Sequence, residues 1–432
     1  MKKQSLHFIS ILLFIGAIIP STLNAQSLFE SSLSENSTVN EVKYQLSGYV
    51  RGGVFGDDTN ILNKYAEGAL KLNAIGNKYG DAYAEMRYKA SRTSDFSNEV
   101  WLREGYINLY LGKFDFRIGQ QIVVWGRADG FNPTNNITPA DFTIFSPDED
   151  DKRQSNFVAK GVYNFQPFTF EVDWVPFYRA TELQLENAAL PSSLYWGDAQ
   201  LPDDTWKNSS IGLKIDFQGA KFDGSLSYFN GYHKTPSLGY NITTLGVEAF
   251  TQACRVQVFG ADYSTSAGSY GLRGEFAFTL PENKTDSLFS TPCKQLEYTL
   301  GIDREWGDFS LIAQYVGKYV FDFDEDITLT NSMACKVNIW NRMLFSQTSQ
   351  WNNSVSLRPS LNLLNQTLKC ELLGLYNLNT EEWLCLPKVT YTISDALSCC
   401  VGAKLYGGSD NTLYKFMGEV RNCGFVEIKL DF

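Results

Sequence analysis

The chain has 432 residues, 48 acidic against 37 basic side chains, a formal net charge of −11 and 14% aromatic residues. An acidic balance of that size repels a phosphate backbone, which excludes nucleic-acid binding as a function class. His7 and His233 are its two histidines, a thin supply for acid–base catalysis.

Residues 1–25, MKKQSLHFISILLFIGAIIPSTLNA, place Lys2 and Lys3 before an apolar core from Leu6 to Ile19 and end on Ala25. That is the layout of a secretory signal peptide cut before Gln26. Its loss removes His7, and with Lys2 and Lys3 gone the formal charge moves from −11 to −13. Residues 26–41 follow as a short periplasmic segment. Beyond residue 25 no run nears the roughly 18 apolar residues of a membrane helix, so a membrane span here must be made of strands.

From residue 42 to the end the pattern alternates with period two, as half-buried strands require. An early strand carries Glu85, Arg87 and Lys89 on one face. A two-residue turn at Gly112-Lys113 sets Tyr110 opposite Asp115, Asn108 opposite Arg117, Tyr106 opposite Gly119 and Glu104 opposite Gln121. The Tyr106 ring then covers a bare glycine.

The alternation of FDFRIG (114–119) breaks at Trp125-Gly126 into a loop, 125–155, rich in turn formers yet holding Phe131, Ile137, Phe142, Ile144 and Phe145. Connections this long are usually functional or disordered, and five apolar anchors favour an ordered loop packed inside a barrel. The expectation is that it folds inward as a constriction. With Arg117 and Trp125 nearby, it would present Arg127, Asp129, Asn132, Asn135, Asn136 and Asp141 to solute. The alternative is an outer lid on neighbouring loops. Within it, DEDDKR (148–153) offers carboxylates to a hard cation but lacks calcium-loop spacing, so it reads as a charged loop tip and no metal or cofactor is assigned.

FTFEVDW (168–174) opposes Phe168, Phe170, Val172 and Trp174 to Thr169, Glu171 and Asp173. The turn at Gln166-Pro167 sets Lys160 opposite Asp173 and Val162 opposite Glu171. Residues 296–303 alternate likewise, while 338–364 reads either as one long strand or as a strand preceded by an extended loop. All eight cysteines lie after residue 250. Cys370, Cys385 and Cys399 take apolar slots as small strand residues, and Cys254, Cys293 and Cys335, nearer loops, are the candidates for pairing.

Short turns fall near 76–81, 112–113, 166–167, 218–220, 264–269, 307–308, 365–366 and 394–395. Longer stretches fall at 55–62, 91–99, 125–155, 179–207, 233–247, 281–294, 322–338, 377–382 and 407–418. Eight short and nine long connections give eighteen strands, with sixteen to twenty allowed by the 338–364 region. The rhythm predicts an all-β, antiparallel, up-and-down transmembrane barrel of the bacterial outer membrane, with both termini periplasmic. A Greek-key sandwich has no reason to alternate so regularly. Glu85, Arg87, Glu104, Lys160, Glu171 and Asp173 then face the lumen, which must be hydrated to hold them, and a barrel of this size leaves an aqueous channel.

The last strand, FVEIKLDF (425–432), ends on Phe432 and resembles the signal by which the barrel-assembly machinery recognises its clients. GQQIVVWGRADGFNPTNNITPADF (119–142), followed by acids and Arg153, resembles a family of bacterial outer-membrane barrels of unknown function. That family is related to porin-like barrels such as the alginate-export type, and carries a strand, Trp-Gly, Asp-Gly and a later Pro-x-Asp. Here Gln120 stands where that family has Arg, and Asn135-Asn136 where Asp is common. The resemblance implies the barrel and a transport role.

The expected function is therefore a channel or selective transporter for small solutes, in contact with outer-membrane lipid. A structural or adhesive barrel with a plugged lumen and a transporter of hydrophobic compounds are the alternatives. An enzyme is not expected: His233 stands alone in NGYHK, without a GxSxG or a neighbouring triad partner. Oligomeric state is not legible, since the lipid face of any barrel looks alike in sequence.

Overall fold

The computed structural model describes residues 43–432 apart from 77, 94, 184–192, 283–291 and 325–331. The signal peptide and the 26–41 segment lie outside the described residues. In chain order the first strands are β1 (Lys43–Gly56), β2 (Ile61–Ile75), β3 (Gly80–Arg92), β4 (Phe96–Leu111), β5 (Phe114–Gln121), β6 (Asn156–Phe165) and β7 (Phe168–Val175). Next come β8 (Leu194–Trp196), β9 (Ser210–Gln218), β10 (Phe222–Tyr232), β11 (Ser237–Thr243), β12 (Gly246–Gln252), β13 (Arg255–Ala267) and β14 (Tyr270–Pro281). The last are β15 (Gln295–Trp306), β16 (Phe309–Val320), β17 (Trp351–Leu363), β18 (Leu368–Asn377), β19 (Trp383–Thr392), β20 (Leu397–Gly407) and β21 (Cys423–Asp431).

Eighteen of these form one antiparallel sheet, in which each strand pairs with the next along the chain. β21 turns back to pair with β1, from Tyr49 opposite Asp431 to Gly56 opposite Gly424. Closure leaves no free edge, which hydrocarbon demands because it offers nothing to an unpaired N–H or C=O. The faces are inverted relative to a soluble protein. Val50, Leu70, Ile107, Val172, Leu213, Ile302, Val355 and Ile428 point outward and are exposed, while Arg51, Glu67, Glu85, Asp173, Glu275 and Gln314 point inward and are buried. That is the transmembrane barrel expected from the alternation.

The expected pairings hold at both turns: Tyr110 meets Asp115, Asn108 meets Arg117 and Tyr106 meets Gly119, while Lys160 meets Asp173 and Val162 meets Glu171. Glu104 comes next in that unbroken register, just beyond the last ladder pair, Gly105 with Gln120, and its carboxylate accepts from the Ile122 N–H at 2.8 Å. On the other side of β4 a bulge at Arg103 interrupts the pairing with β3, where Glu104 faces Glu85.

The ambiguous 338–364 region is not one strand. A helix, α1 (Ser332–Leu344), precedes β17, and a second helix, α2 (Leu413–Arg421), fills the connection before β21. The connection read as 233–247 runs on to residue 254 and carries the β11–β12 hairpin, with β8 added in parallel. α1 packs on that small sheet, where the Asn341 side chain both accepts from the Leu238 N–H and donates to the Leu238 carbonyl, each at 2.6 Å. Cys370, Cys385 and Cys399 are half-buried in β18, β19 and β20, and Cys293 carries a free thiol. Cys254 is buried with its sulfur 2.9 Å from the Ser237 hydroxyl.

A charge on the outer face meets lipid whereas one on the inner face does not. Val172→Arg, near the middle of β7, is expected to lower stability in lipid by about 2–4 kcal/mol. Urea unfolding from vesicles measures it, and a loss below about 0.5 kcal/mol would contradict the outward placement.

Candidate constriction and lumen site

The loop begins where β5 ends. Gln121 is fully buried and donates to the Val158 carbonyl at 2.9 Å. The Thr138 hydroxyl meets both the N–H and the carbonyl of Val123, at 3.0 and 2.6 Å. Trp125 is 3% exposed, packs with Val123, Ile137, Val158 and Phe229, and donates from its indole N–H to Glu171 at 2.9 Å. Its ring lies so close to Gly212 that a Cβ there would come within 2.6 Å of it. Gly126 follows with φ +98°, and a Cβ on it would run into the Glu275 carboxylate. The Trp-Gly pair thus places a large anchor beside a residue with no side chain, which lets the backbone turn into the lumen.

From there the tip crosses to the far wall. Arg127 donates to both Asp216 oxygens on β9 at 3.0 Å and to Asp262 on β13. Glu275 on β14 accepts from the Ala128 N–H, from Asn132 at 3.1 Å and from Thr134 at 3.0 Å. The Asp129 carboxylate accepts from Arg358 on β17 at 2.8 and 2.9 Å. On β15, Thr299 donates to the Phe131 carbonyl at 2.9 Å.

The returning half is fixed to the opposite side. Glu149–Lys152 form one 3₁₀ turn capped by the Asp148 side chain. Asp151 is held by Arg51 of β1 at 2.7 Å and Arg87 of β3 at 2.9 Å, with Ser146 donating at 2.5 Å. Arg51 also pairs with Glu67 of β2 at 2.8 Å, and Arg87 with Glu85 at 2.7 Å. The bulge aims Arg103 at the carbonyls of Asp150 and Asp151, at 2.8 and 3.1 Å, and at that of Arg153. Glu149 pairs with Lys404 of β20 at 2.5 Å.

Burial alone would raise the Asp151 carboxyl, but the Arg51 and Arg87 guanidiniums outweigh it and hold it far below the usual range. Glu149 is likewise brought down to about 2, burial opposing and Lys152 and Lys404 prevailing. Burial, with Lys404 close by, presses the Lys152 ammonium down to about 8. Three of the four acids read as a possible cation loop are therefore neutralised by the protein's own cations, Asp150 by Arg153 at 3.0 Å.

A half-enclosed cavity of about 300 Å³ lies on the surface-loop side of the tip. Phe131, Asn132, Pro133 and Asn136 line it from the loop, Glu297, Tyr298 and Lys318 from the wall, and His233, Lys234, Phe345 and Tyr414 from the surface connections. Lys318 is paired with Glu297 at 3.2 Å. Lys234 donates to the Asn135 carbonyl at 2.5 Å and forms no salt bridge among the described residues; burial pushes its ammonium down. His233 rests edge-on to Phe345, its Nδ1 3.1 Å from the Thr235 N–H. Burial lowers its pKa to about 4, which keeps it neutral at pH 7.

The expected site residues thus separate. Asn132 and Asn136 line the cavity, Asn135 lends it a carbonyl, and Arg127 and Asp129 are committed to the wall. Trp125 is a buried anchor and not a solute contact. Arg117 sits low on the wall, stacked on Tyr106 and donating to Asn108 at 2.7 Å. Asp141 caps its own turn, accepting from Thr143. Lys160 pairs with Glu171 at 2.7 Å, and Asp173 is fully buried. Glu85, Arg87 and Glu104 lie beneath the loop and not in open water.

Sequence reasoning passed over Arg51, Glu67, Arg103, Asp216, Asp262, Glu275, Arg358 and Lys234. A charge in the inward register of a strand was the available signal for Arg51, Glu67, Asp216, Asp262, Glu275 and Arg358. Nothing local marked Arg103, which the bulge redirects, or Lys234 in its loop.

No family model and no curated protein matches the chain. Solved structures do. The Pseudomonas aeruginosa OpdK structure with vanillate is similar with a TM-score of 0.55 and 8% identity, over 90% of this chain and 98% of that one. P. aeruginosa OccK5 (OpdH) gives 0.53 and 10%, over 90% and 97%. Acinetobacter baumannii OccAB1 gives 0.52 and 9%, over 92% and 99%. Barrel, inward loop and these likenesses define the class: an eighteen-strand barrel of porin-like architecture. The likenesses support the porin-like part of the resemblance drawn from the sequence and not its alginate-export part.

Asp151→Asn removes the charge shared by two buried guanidiniums. Because Glu67 and Glu85 remain, the loss is expected at the lower end for a broken buried pair, about 3 kcal/mol, read by urea unfolding in lipid. Glu149 has a depressed pKa, so its contribution is complete above about 4.5 and fades as pH falls through about 2. Protease accessibility of the 122–155 loop should stay constant from pH 7 to 4.5 and rise only below that, and a rise near pH 6 would contradict the latch.

Proposed function

We propose that this protein is an outer-membrane channel that admits small solutes carrying a negative group, with the 122–155 loop as its constriction. The single observation behind this reading is Lys234, a half-buried ammonium that lines the lumen cavity, donates to a carbonyl and forms no salt bridge among the described residues. Glu297 and Glu275 act on it only from a distance, and an anionic solute supplies the direct contact that a largely desolvated ammonium lacks. Asn132 and Asn136 add amides, and Phe131, Tyr298 and Tyr414 offer apolar faces. The OpdK structure holds vanillate, an aromatic carboxylate, in a barrel of similar fold.

On this reading residues 1–25 are cut off on export, and the strand ending at Phe432 is what the barrel-assembly machinery reads. Catalysis is not part of the proposal. His233, the one histidine of residues 26–432, is neutral and oriented by backbone and by Phe345.

Single-channel recording in planar bilayers tests the proposal on residues 26–432, beside a variant with 128–150 replaced by a Gly/Ser linker. Expected are steps in the intact protein and larger steps in the variant. Steps of equal size would remove the loop from the constriction, and silence from both folded proteins would sink the channel. Lys234→Met should weaken current block by benzoate about tenfold and leave block by benzyl alcohol unchanged.

A further inference from the structure

A second cavity, of about 210 Å³, opens between α1 and α2 at the surface end. α2 presents Leu413, Phe416, Met417 and Val420 at helical spacing, and α1 presents Trp340, Met343 and Leu344 at the same spacing. Each set is one apolar stripe of a helix. The α2 stripe is half-buried: Met417 packs on Leu375, Leu384 and Tyr406 of the wall, and the rest of the stripe borders the cavity. Trp196 and Phe142 close the sides, Trp196 lying 6.2 Å from the Trp340 ring between centroids. Thr235, Leu344 and Leu413 line both this cavity and the lumen cavity, so the two are contiguous. Lys234 adjoins the shared wall.

We propose that the crevice between α1 and α2 is a capture subsite for the apolar tail of a small anionic amphiphile whose charged end reaches Lys234. The inference rests on the channel reading above for its anionic end only. The walls fix the chemistry of the tail. A sealed apolar cavity of about 150 Å³ takes up benzene, so by proportion the volume of this open crevice matches about eight carbon atoms. Met343 and Met417 are unbranched and adaptable, suited to a flexible alkyl chain. Arg421 also lines this crevice, its guanidinium donating to the Phe142 carbonyl and lying over the Phe145 ring, so Arg421→Met is the control that should leave carboxylate affinity unchanged if Lys234 takes the charged end.

The test is equilibrium binding to residues 26–432 folded in lipid vesicles, free of detergent. 6-Bromohexanoate is the probe, read by heavy-atom quenching of tryptophan fluorescence. Unlabelled acetate, butyrate, hexanoate and octanoate then compete. Affinity is expected to rise by about fourfold per methylene up to about eight carbons and to level off beyond. Trp340→Phe should reduce the quenching amplitude without changing the midpoint greatly.

Met417→Glu, and Met417→Trp as a cavity-filling variant that adds no charge, should each flatten the dependence on chain length and leave acetate unchanged. Lys234→Met should weaken all four carboxylates by a similar factor and keep the slope. A wild-type slope near zero, or a slope that survives both Met417 variants, overturns the subsite while the channel and its anion site stand. A slope that persists in a protein that never conducts supports the subsite and removes the channel.

Discussion

One carboxylate, Asp151, shared between Arg51 and Arg87, is what allows a loop to live inside a membrane barrel. The wall brings those two cations inward because alternation gives it no other face to put them on, and buried guanidiniums need an anion. The loop supplies it at the end of one 3₁₀ turn. On the other side the polarity is reversed: Asp216, Asp262 and Glu275 of the wall wait for Arg127 and for the N–H and amide groups of the tip. Wall and loop are electrostatic complements. Glu67 and Glu85 share the two guanidiniums and Lys214 shares Asp216, so the wall satisfies its charges in part and the loop completes them.

That complementarity draws on the whole chain. Arg51 lies on the first strand and Glu427 on the last, 3.7 Å apart across the seam where the barrel closes. The loop emerges between the fifth and sixth strands, yet its partners range from residue 51 to residue 421. Such contacts carry a large loop-closure cost before they return anything. A chain that closed around a misplaced loop would bury unpaired charge on both sides, and this discriminates against wrong arrangements.

The wall was legible in the sequence because its signal is repeated at every strand: alternation, short turn, alternation, long loop. Tyr106 opposite Gly119 and Lys160 opposite Asp173 followed from turn position alone. The interior was legible in kind and not in detail. Phe131, Ile137 and Phe145 announced a packed loop, but which of its polar residues stay open to the cavity depended on partners 89 to 229 positions away. Arg127 looked as available as Asn132 until Asp216 and Asp262 were beside it. α1 escaped notice because NSMACKVNIWNRMLF is short and mixed, and residues 338–364 alternate well enough to pass for strand. The bulge at Arg103 left no mark in the alternation, and it is what turns that side chain toward the loop.

The two seats of the loop lie on opposite arcs of the wall, β1 to β4 with β20 on one side and β9 to β17 on the other. A chord fixed at both ends of a ring does more than narrow it. It resists flattening, because ovalisation along or across the chord must stretch or buckle the tie. A thin eighteen-strand cylinder has little bending stiffness of its own, since its hydrogen bonds run around the circumference and flex easily. The loop therefore acts as a spoke that keeps the cross-section round under lateral membrane pressure, and the bore that solutes meet is as constant as that spoke.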